Sequence, residues 1–415
     1  MRYNRGDMSD ENNIKTLSMG CRLNALEAEK IKRMIAPRLK CGIVVNTCAV
    51  TGEAERQSGQ AVRKIARDNP NVPIFVTGCG ATHNPGIFDK IPNTFIVHNR
   101  DKLNPAVYTN IINNYVCNSD SACHINMTHH DSELSKQFVQ VQNGCNHKCT
   151  YCITRILRGP AVSFPYTEIL ADVRNAVANG FGEIVLTGVD TASYAHDGML
   201  ISDVCANLLR DVPEIRRLRI SSFDPASPQI YKIIDMMKSD ARMMPHMHLS
   251  MQSGSDTILR AMQRRHNAQS IRNIVAYAGP GITFSWDIIC GFPGETDDLF
   301  RETLDLVRDA RPIKIHAFPF SARPGTVAFD MPNKISHAVA KERVHQISAI
   351  ADAFRNDFMR LQVGQSVPVL VEKNNIARTP HDIDVKIDGD PIAPRTICKV
   401  KLVDVCDGRY VGMSV

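Results

Sequence analysis

The chain has 415 residues, 43% hydrophobic and 22% charged, with a formal net charge of +6. This is ordinary for folded globular domains, excludes a low-complexity chain, and fits two or three domains. No run approaches ~18 consecutive apolar residues, so no membrane-spanning helix and no membrane partner are expected.

The polar segment Met1 to Asn13 lacks an apolar signal-peptide core and is expected to be disordered, with Met8 as an alternative start. Thirteen cysteines without a secretory leader point to a reducing, cytoplasmic setting, where cysteines serve metals or catalysis. The first hundred residues hold 15 Lys and Arg against 9 Asp and Glu, the whole of the surplus. That balance permits an anionic partner.

Residues 14–115 read as an α/β domain. Strand-like runs at 14–19, 42–46, 73–77 and 94–97 alternate with helical patterns at 24–35 and 53–68, which implies a parallel sheet. Cys21, Cys48 and Cys79 each closely follow one of the first three strands. In a parallel sheet those positions converge at one edge, where ligands bind. Gly20, Ala49, Gly78 and Gly80 would let loop backbone approach a bulky group there. A metal site of three cysteines is therefore expected. Cys41, at the start of a strand, falls at the opposite edge. Arg56, Arg63 and Arg67 share one face of the second helix and are candidates for a phosphate backbone; a solvated helix face competes with that reading. Residues 116–134 read as a linker, with Cys117, Cys123, His124, His129 and His130 as a conceivable second metal hook.

Residues 135–361 read as six β/α repeats, with strands at 137–142, 183–187, 217–221, 247–251, 283–289 and 314–318. That number suggests a partial, TIM-like barrel with its chemistry on the loops after the strands. The first such loop is Cys145-Asn146-His147-Lys148-Cys149-Thr150-Tyr151-Cys152. Its x3, x2 spacing offers three thiolates to an iron–sulfur cube and leaves one iron open for chemistry. A zinc site is the competing reading, although His147 shows no distal partner hook. Every later loop carries polar or glycine-rich residues: 187–190, 221–224, 252–255, 291–295 and 320–326. A long helix is expected over 334–361, with apolar positions at Val339, Val344, Ile347, Ile350, Ala351 and Phe354. Residues 362–415 read as a small β-barrel of the oligonucleotide-binding kind. With 8 basic against 7 acidic residues from Arg360 on, its charge alone does not mark it as an RNA binder.

These motifs together resemble the radical S-adenosylmethionine (SAM) methylthiotransferases. The residues concerned are CNHKCTYC, LTGVD, RISSFDP, HLSMQSGSD, DIICGFPGET and HAFPFSARPGT, with GCRLNALEAE, NTCAVT and VTGCGA upstream. The last segment is similar to that family's TRAM domain. The form Asn46-Thr47-Cys48-Ala49-Val50-Thr51 looks most like the branch acting on N6-threonylcarbamoyladenosine. Departures are Met19 and Arg264-Arg265-His266.

The resemblance implies one [4Fe–4S] cluster on Cys145, Cys149 and Cys152, and an auxiliary one on Cys21, Cys48 and Cys79 that carries the sulfur. It implies Tyr151 near the SAM adenine, or else as a buried loop anchor. Gly188, Val189 and Asp190 would receive the SAM amine, and Ser222, Gln252 and Asp287 would line the pocket. Two SAM molecules would serve each turnover, one as methyl donor and one as radical source. The target would be C2 of the modified adenosine beside the anticodon of ANN-decoding tRNAs, with a low-potential electron donor and a sulfur donor as further partners. Isopentenyladenosine or ribosomal-protein S12 aspartate as substrate, and a non-enzymatic two-cluster electron carrier, are the rival readings.

Overall fold

The computed structural model describes residues 13–115, 125–127 and 135–415. These fall in two compact units: those before Ser132 together with Ile153–Gly159, and the remainder.

The first unit is built on a four-stranded parallel sheet in chain order: β1 (Asn13–Ser18), β2 (Cys41–Thr47), β3 (Ile74–Gly78) and β4 (Thr94–Ile96). Strand β2 shows why. Its residues Ile43, Val44 and Val45 are β-branched and all buried, as suits a strand covered on both faces. Ile43 and Val45 enter a core with Val62 and Ile65 of α2 (Gly52–Asp68). Val44, pointing the other way, meets Ile31 and Ile35 of α1 (Arg22–Ile35). Thr51 caps α2 by accepting from the Ala54 N–H.

Three details differ from the sequence reading. Asn13, expected in a disordered terminus, opens β1 and pairs with Cys41. Ile125, inside the expected linker, is buried in the core of the sheet. The segment Ile153–Gly159, expected in the barrel domain, packs in the first unit, and it contains helix α3 (Thr154–Arg158). Its Ile153 and Leu157 are buried with Ala49 and Cys79, which is why it belongs there. Met8 and the cysteines and histidines of the conceivable second hook lie outside the described residues.

The second unit holds six parallel strands in chain order: β5 (Lys136–Gln140), β6 (Glu183–Thr187), β7 (Leu218–Ile220), β8 (His246–Gln252), β9 (Thr283–Cys290) and β10 (Lys314–Pro319). The expected third strand is broken at Ser221. Leu218–Ile220 pairs with β6, whereas Ser222–Phe223 pairs with β8. The barrel wall is thus a three-stranded and a four-stranded sheet meeting at that residue. Helices Tyr166–Ala178, Ile201–Asp211, Gln229–Ser239, Ala268–Ala278 and Asp297–Ala310 cover it around one core containing Leu186, Leu249 and Trp286.

The long helix runs over His337–Gln362. Val339, expected in its apolar stripe, is exposed, and Arg343 is buried instead. The chain ends in a closed five-stranded barrel: Ser366–Val371, Ile376–Arg378, Asp384–Asp388, Ile397–Cys406 and Arg409–Ser414. The strand Ile376–Arg378 carries no long apolar run and was not expected.

That small barrel covers the edge where the parallel strands begin. Arg217 donates to the Arg378 and Pro368 carbonyls, and Arg219 to the Pro380 carbonyl. Lys136 bonds Asp382 at 3.0 Å, and Ser135 donates to the Val371 carbonyl. The opposite edge, where the strands end, carries the cysteine loop.

Candidate functional site

Each unit presents three cysteines at the end of its parallel strands. In the first unit Cys21 precedes α1 after β1, Cys48 follows β2, and Cys79 follows β3 as the first residue of a short helix. Cys48 and Cys79 are buried and Cys21 is exposed. Burial pushes the Cys48 thiol up, and Cys79 and Cys21 add to that through space, so the three sulfurs share one locality. The loop backbone is drawn in tightly. At Gly20 φ is +91°, and a Cβ there would lie 2.7 Å from the Cys48 Sγ. The Asn99 amide donates to the Cys79 Sγ at 3.5 Å.

In the second unit Cys145, Cys149 and Cys152 are half-buried on the loop after β5. The loop is pinned at Thr150. Its N–H donates to the Met262 carbonyl, its hydroxyl to the Ala261 carbonyl, and its own carbonyl accepts from the Ala328 N–H. Tyr151 packs against the cluster of Ile258, Met262 and Phe292. The Cys145 thiol is pushed up to about 12 by burial, with Asp190, Cys152 and Cys149 adding to the effect. A bound metal would oppose that push by favouring the thiolate.

Both sites fit an iron–sulfur group by donor chemistry, since each offers three soft sulfurs. The second also fits a polar organic ligand. Gln140, at the end of β5 on the face shared with Lys136, is 3% exposed, and neither polar atom of its amide has a partner among the described residues. The Ser221 hydroxyl is buried and unpartnered in the same sense. Buried polar groups of this kind await a partner.

Comparison with known proteins matches residues 13–97 to the Uncharacterized protein family UPF0004 and residues 139–307 to the Radical SAM superfamily. The chain is similar to the threonylcarbamoyladenosine tRNA methylthiotransferase MtaB of Rickettsia prowazekii, 37% identical over 412 residues, 96% of this chain and 97% of that protein. The chain belongs to the radical-SAM methylthiotransferases. The tRNA-2-methylthio-N(6)-dimethylallyladenosine synthase of Syntrophotalea carbinolica is 30% identical over 438 residues, 96% of this chain and 98% of that one. Among solved structures, the radical S-adenosylmethionine methyltransferase TsrM of Kitasatospora setae shares the fold, with a TM-score of 0.55 at 13% identity over 77% of each chain.

In this methylthiotransferase the expected cofactor residues lie on the strand-end loops. A Cβ on Gly188 would sit 2.9 Å from the Gln142 carbonyl oxygen, so that close approach favours glycine. Val189 is half-buried. Asp190 is buried; its backbone N–H donates to Gln142 Oε1, and its carboxylate accepts from the Ser193 hydroxyl at 2.6 Å. Ser222 accepts through its carbonyl from the Thr191 hydroxyl. Gln252 has a φ of +72°, unusual for a side-chain-bearing residue, where the β8–β9 register shifts. Asp287 pairs with His248 at 3.1 Å. Arg56, Arg63 and Arg67 are exposed on α2 as expected, but Arg56 is held by Glu53 and Arg67 lies against Asp68, which reduces the net charge of that face.

Sequence reasoning missed the charged collar around the downstream cysteines. His147 does have distal partners: its Nε2 lies 2.6 Å from Asp190 and 3.4 Å from Asp224. Arg264 reaches the Cys149 Sγ at 3.5 Å and Asp224 at 3.1 Å, and Arg265 reaches Asp224 at 2.9 Å. Cys145, His147 and Asp190 also converge closely enough to ligate a single metal ion. The RISSFDP and Arg264-Arg265 motifs were visible in sequence, but nothing local in them indicated that they meet.

Proposed function

We propose that the protein methylthiolates C2 of N6-threonylcarbamoyladenosine at position 37 of ANN-decoding tRNAs, using SAM and two [4Fe–4S] clusters. The observation that carries this reading is the pair of three-cysteine sites, one in each unit, on a chain 37% identical along its length to a relative named for that reaction. Cys145, Cys149 and Cys152 would hold the SAM-cleaving cluster, and Cys21, Cys48 and Cys79 the auxiliary one. When bound, these groups supply radical and sulfur chemistry that no side chain can perform at an unactivated C–H bond.

The chain's own residues position and shield. Thr150 and Tyr151 fix the loop, Gly188 admits close backbone, and Asp190 offers a carboxylate to the SAM amine. Gln140 and Ser221 offer unpaired polar groups to a bound ligand. Glu295 holds the Gly291-to-Glu295 loop by accepting from the Gly291 N–H at 2.6 Å and from Arg343 at 2.8 Å. An unstacked anticodon-loop base is the kind of target that proteins read in RNA. The cellular setting is cytoplasmic, with a low-potential reductant and a sulfur donor as partners.

The test is nucleoside mass spectrometry of tRNA from a deletion strain. Loss of 2-methylthio-threonylcarbamoyladenosine, restored by the wild-type gene and not by Cys48→Ala, is expected. Loss of the isopentenyladenosine derivative instead would assign the protein to the other branch.

A further inference from the structure

The wall behind the upstream cysteines is charged and buried, which is unusual for a core. Lys102 is 2% exposed and donates to Glu27 at 2.6 Å and to the Asn99 side-chain oxygen at 2.8 Å. Arg158 of α3 donates to both Glu27 oxygens, at 2.9 and 3.2 Å, and to the Asn24 side-chain oxygen at 2.6 Å. Glu27 is fully buried. Two cations thus meet at one carboxylate out of water. Buried charges of this kind are strongly unfavourable unless their surroundings compensate them.

The sulfur site is part of those surroundings. Asn99 joins the network to the sulfur site, accepting from Lys102 and donating to the Cys79 Sγ. Asn24 does so on the other side, accepting from Arg158 and lying 3.7 Å from the Cys21 Sγ. Cys79 acts through space on both Lys102 and Arg158, and Cys21 also acts on Arg158. Burial, with Arg158 beside it, pushes the Lys102 ammonium down, and Glu27 opposes that. An iron–sulfur group on three thiolates is net negative in both redox states, and more so when reduced.

We propose that Lys102 and Arg158, braced by Glu27 and Asn99, are positioning residues that set the charge and reduction potential of the iron–sulfur group on Cys21, Cys48 and Cys79. This rests on the reading that those cysteines hold such a group. The cations stabilise the reduced, more negative state, and Glu27 limits the effect. The Asn99 N–H to sulfur bond acts in the same direction as the cations.

The test uses the full chain carrying Cys145→Ala, Cys149→Ala and Cys152→Ala, so that only the upstream site can load. The protein is reconstituted with iron and sulfide, and the midpoint potential is followed by electron paramagnetic resonance. Arg158→Gln and Lys102→Met each remove a positive charge and are expected to lower the potential. Glu27→Gln removes the negative charge and is expected to raise it. Each shift should reach about tenfold in the one-electron equilibrium, about 59 mV. Arg158→Lys keeps the charge and should stay near the parent.

A merely structural role predicts otherwise, because loosening the wall admits water and moves every variant in one direction. Potentials that shift together, or not at all, overturn the proposal. Should Arg158→Gln fail to fold, Lys102→Met and Asn99→Leu test the same prediction, each with an expected fall. A parent that binds no iron overturns the reading of the site and the proposal with it.

Discussion

At Gly20 the chain turns through a φ of +91° with its Cα against Cys48, a conformation and a proximity that only glycine tolerates without strain. Gly20→Ala is expected to displace Cys48 and reduce iron loading of the upstream site, while the downstream site loads normally; iron and sulfide assays on the separate triple-alanine backgrounds check this. Arg343 is a second such position. Its guanidinium bonds buried Glu295 at 2.8 Å and Asp297 at 2.7 Å. Burial pushes the Glu295 carboxyl up, and Arg343 with the Gly291 N–H opposes that. Arg343→Met leaves a buried carboxyl without its cation and is expected to cost about 3–5 kcal/mol, read from the shift of the urea unfolding midpoint. The strand-end places of the six cysteines were legible because spacing and position after a strand are local signals. The partners of His147, the place of Arg343 and the wall around Glu27 were not. Each is made by side chains far apart in sequence, and a charged residue in a helical pattern reads as solvent-facing.

At the scale of elements, the edge where the barrel strands begin is a buried ionic layer. Burial would raise the Glu183 carboxyl, but Arg219, Lys136 and Arg217 hold it down at about 2. Burial likewise works against the charge on Asp382, yet Lys136, Arg219 and Arg378 keep its carboxyl well below the usual range. Both carboxyls have folded values below their unfolded ones, near 4. Their contribution is therefore complete above the unfolded values and is lost as pH falls toward the folded ones. His246, pushed well below 6.5 by burial, and His381, pushed down to about 4 by burial, have the same sign. The unfolded chain takes up those protons first, so stability declines already below about pH 6.5 and falls further below about pH 4. The urea midpoint at pH 5.5 is expected to lie below that at pH 7, with a smaller difference in His381→Gln. A midpoint unchanged between the two would contradict this account of the layer. Strand positions were legible to within a residue or two because β-branched runs bounded by turns mark them. The break at Ser221 and the strand Ile376–Arg378 were not, because sheet partners decide them rather than local pattern.

Over the whole molecule, the α/β character followed from strand–helix alternation. The place of Ile153–Gly159 did not, since its neighbours in sequence belong to the other unit. Two three-cysteine sites predict two separable iron loads. The intact protein, purified without oxygen, should hold about eight iron and eight sulfide, and each triple-alanine variant about half. Bound zinc in their place would contradict the iron–sulfur reading of both sites. The most direct test of the central claim is the reaction itself. Reconstituted protein is incubated with SAM, a strong reductant and tRNA bearing N6-threonylcarbamoyladenosine, and the digested nucleosides are resolved by mass spectrometry. The account predicts the 2-methylthio derivative of that nucleoside together with 5′-deoxyadenosine, and neither from the Cys145→Ala variant. Methylthiolation of isopentenyladenosine-bearing tRNA alone, or no SAM cleavage by protein with both sites loaded, would contradict it.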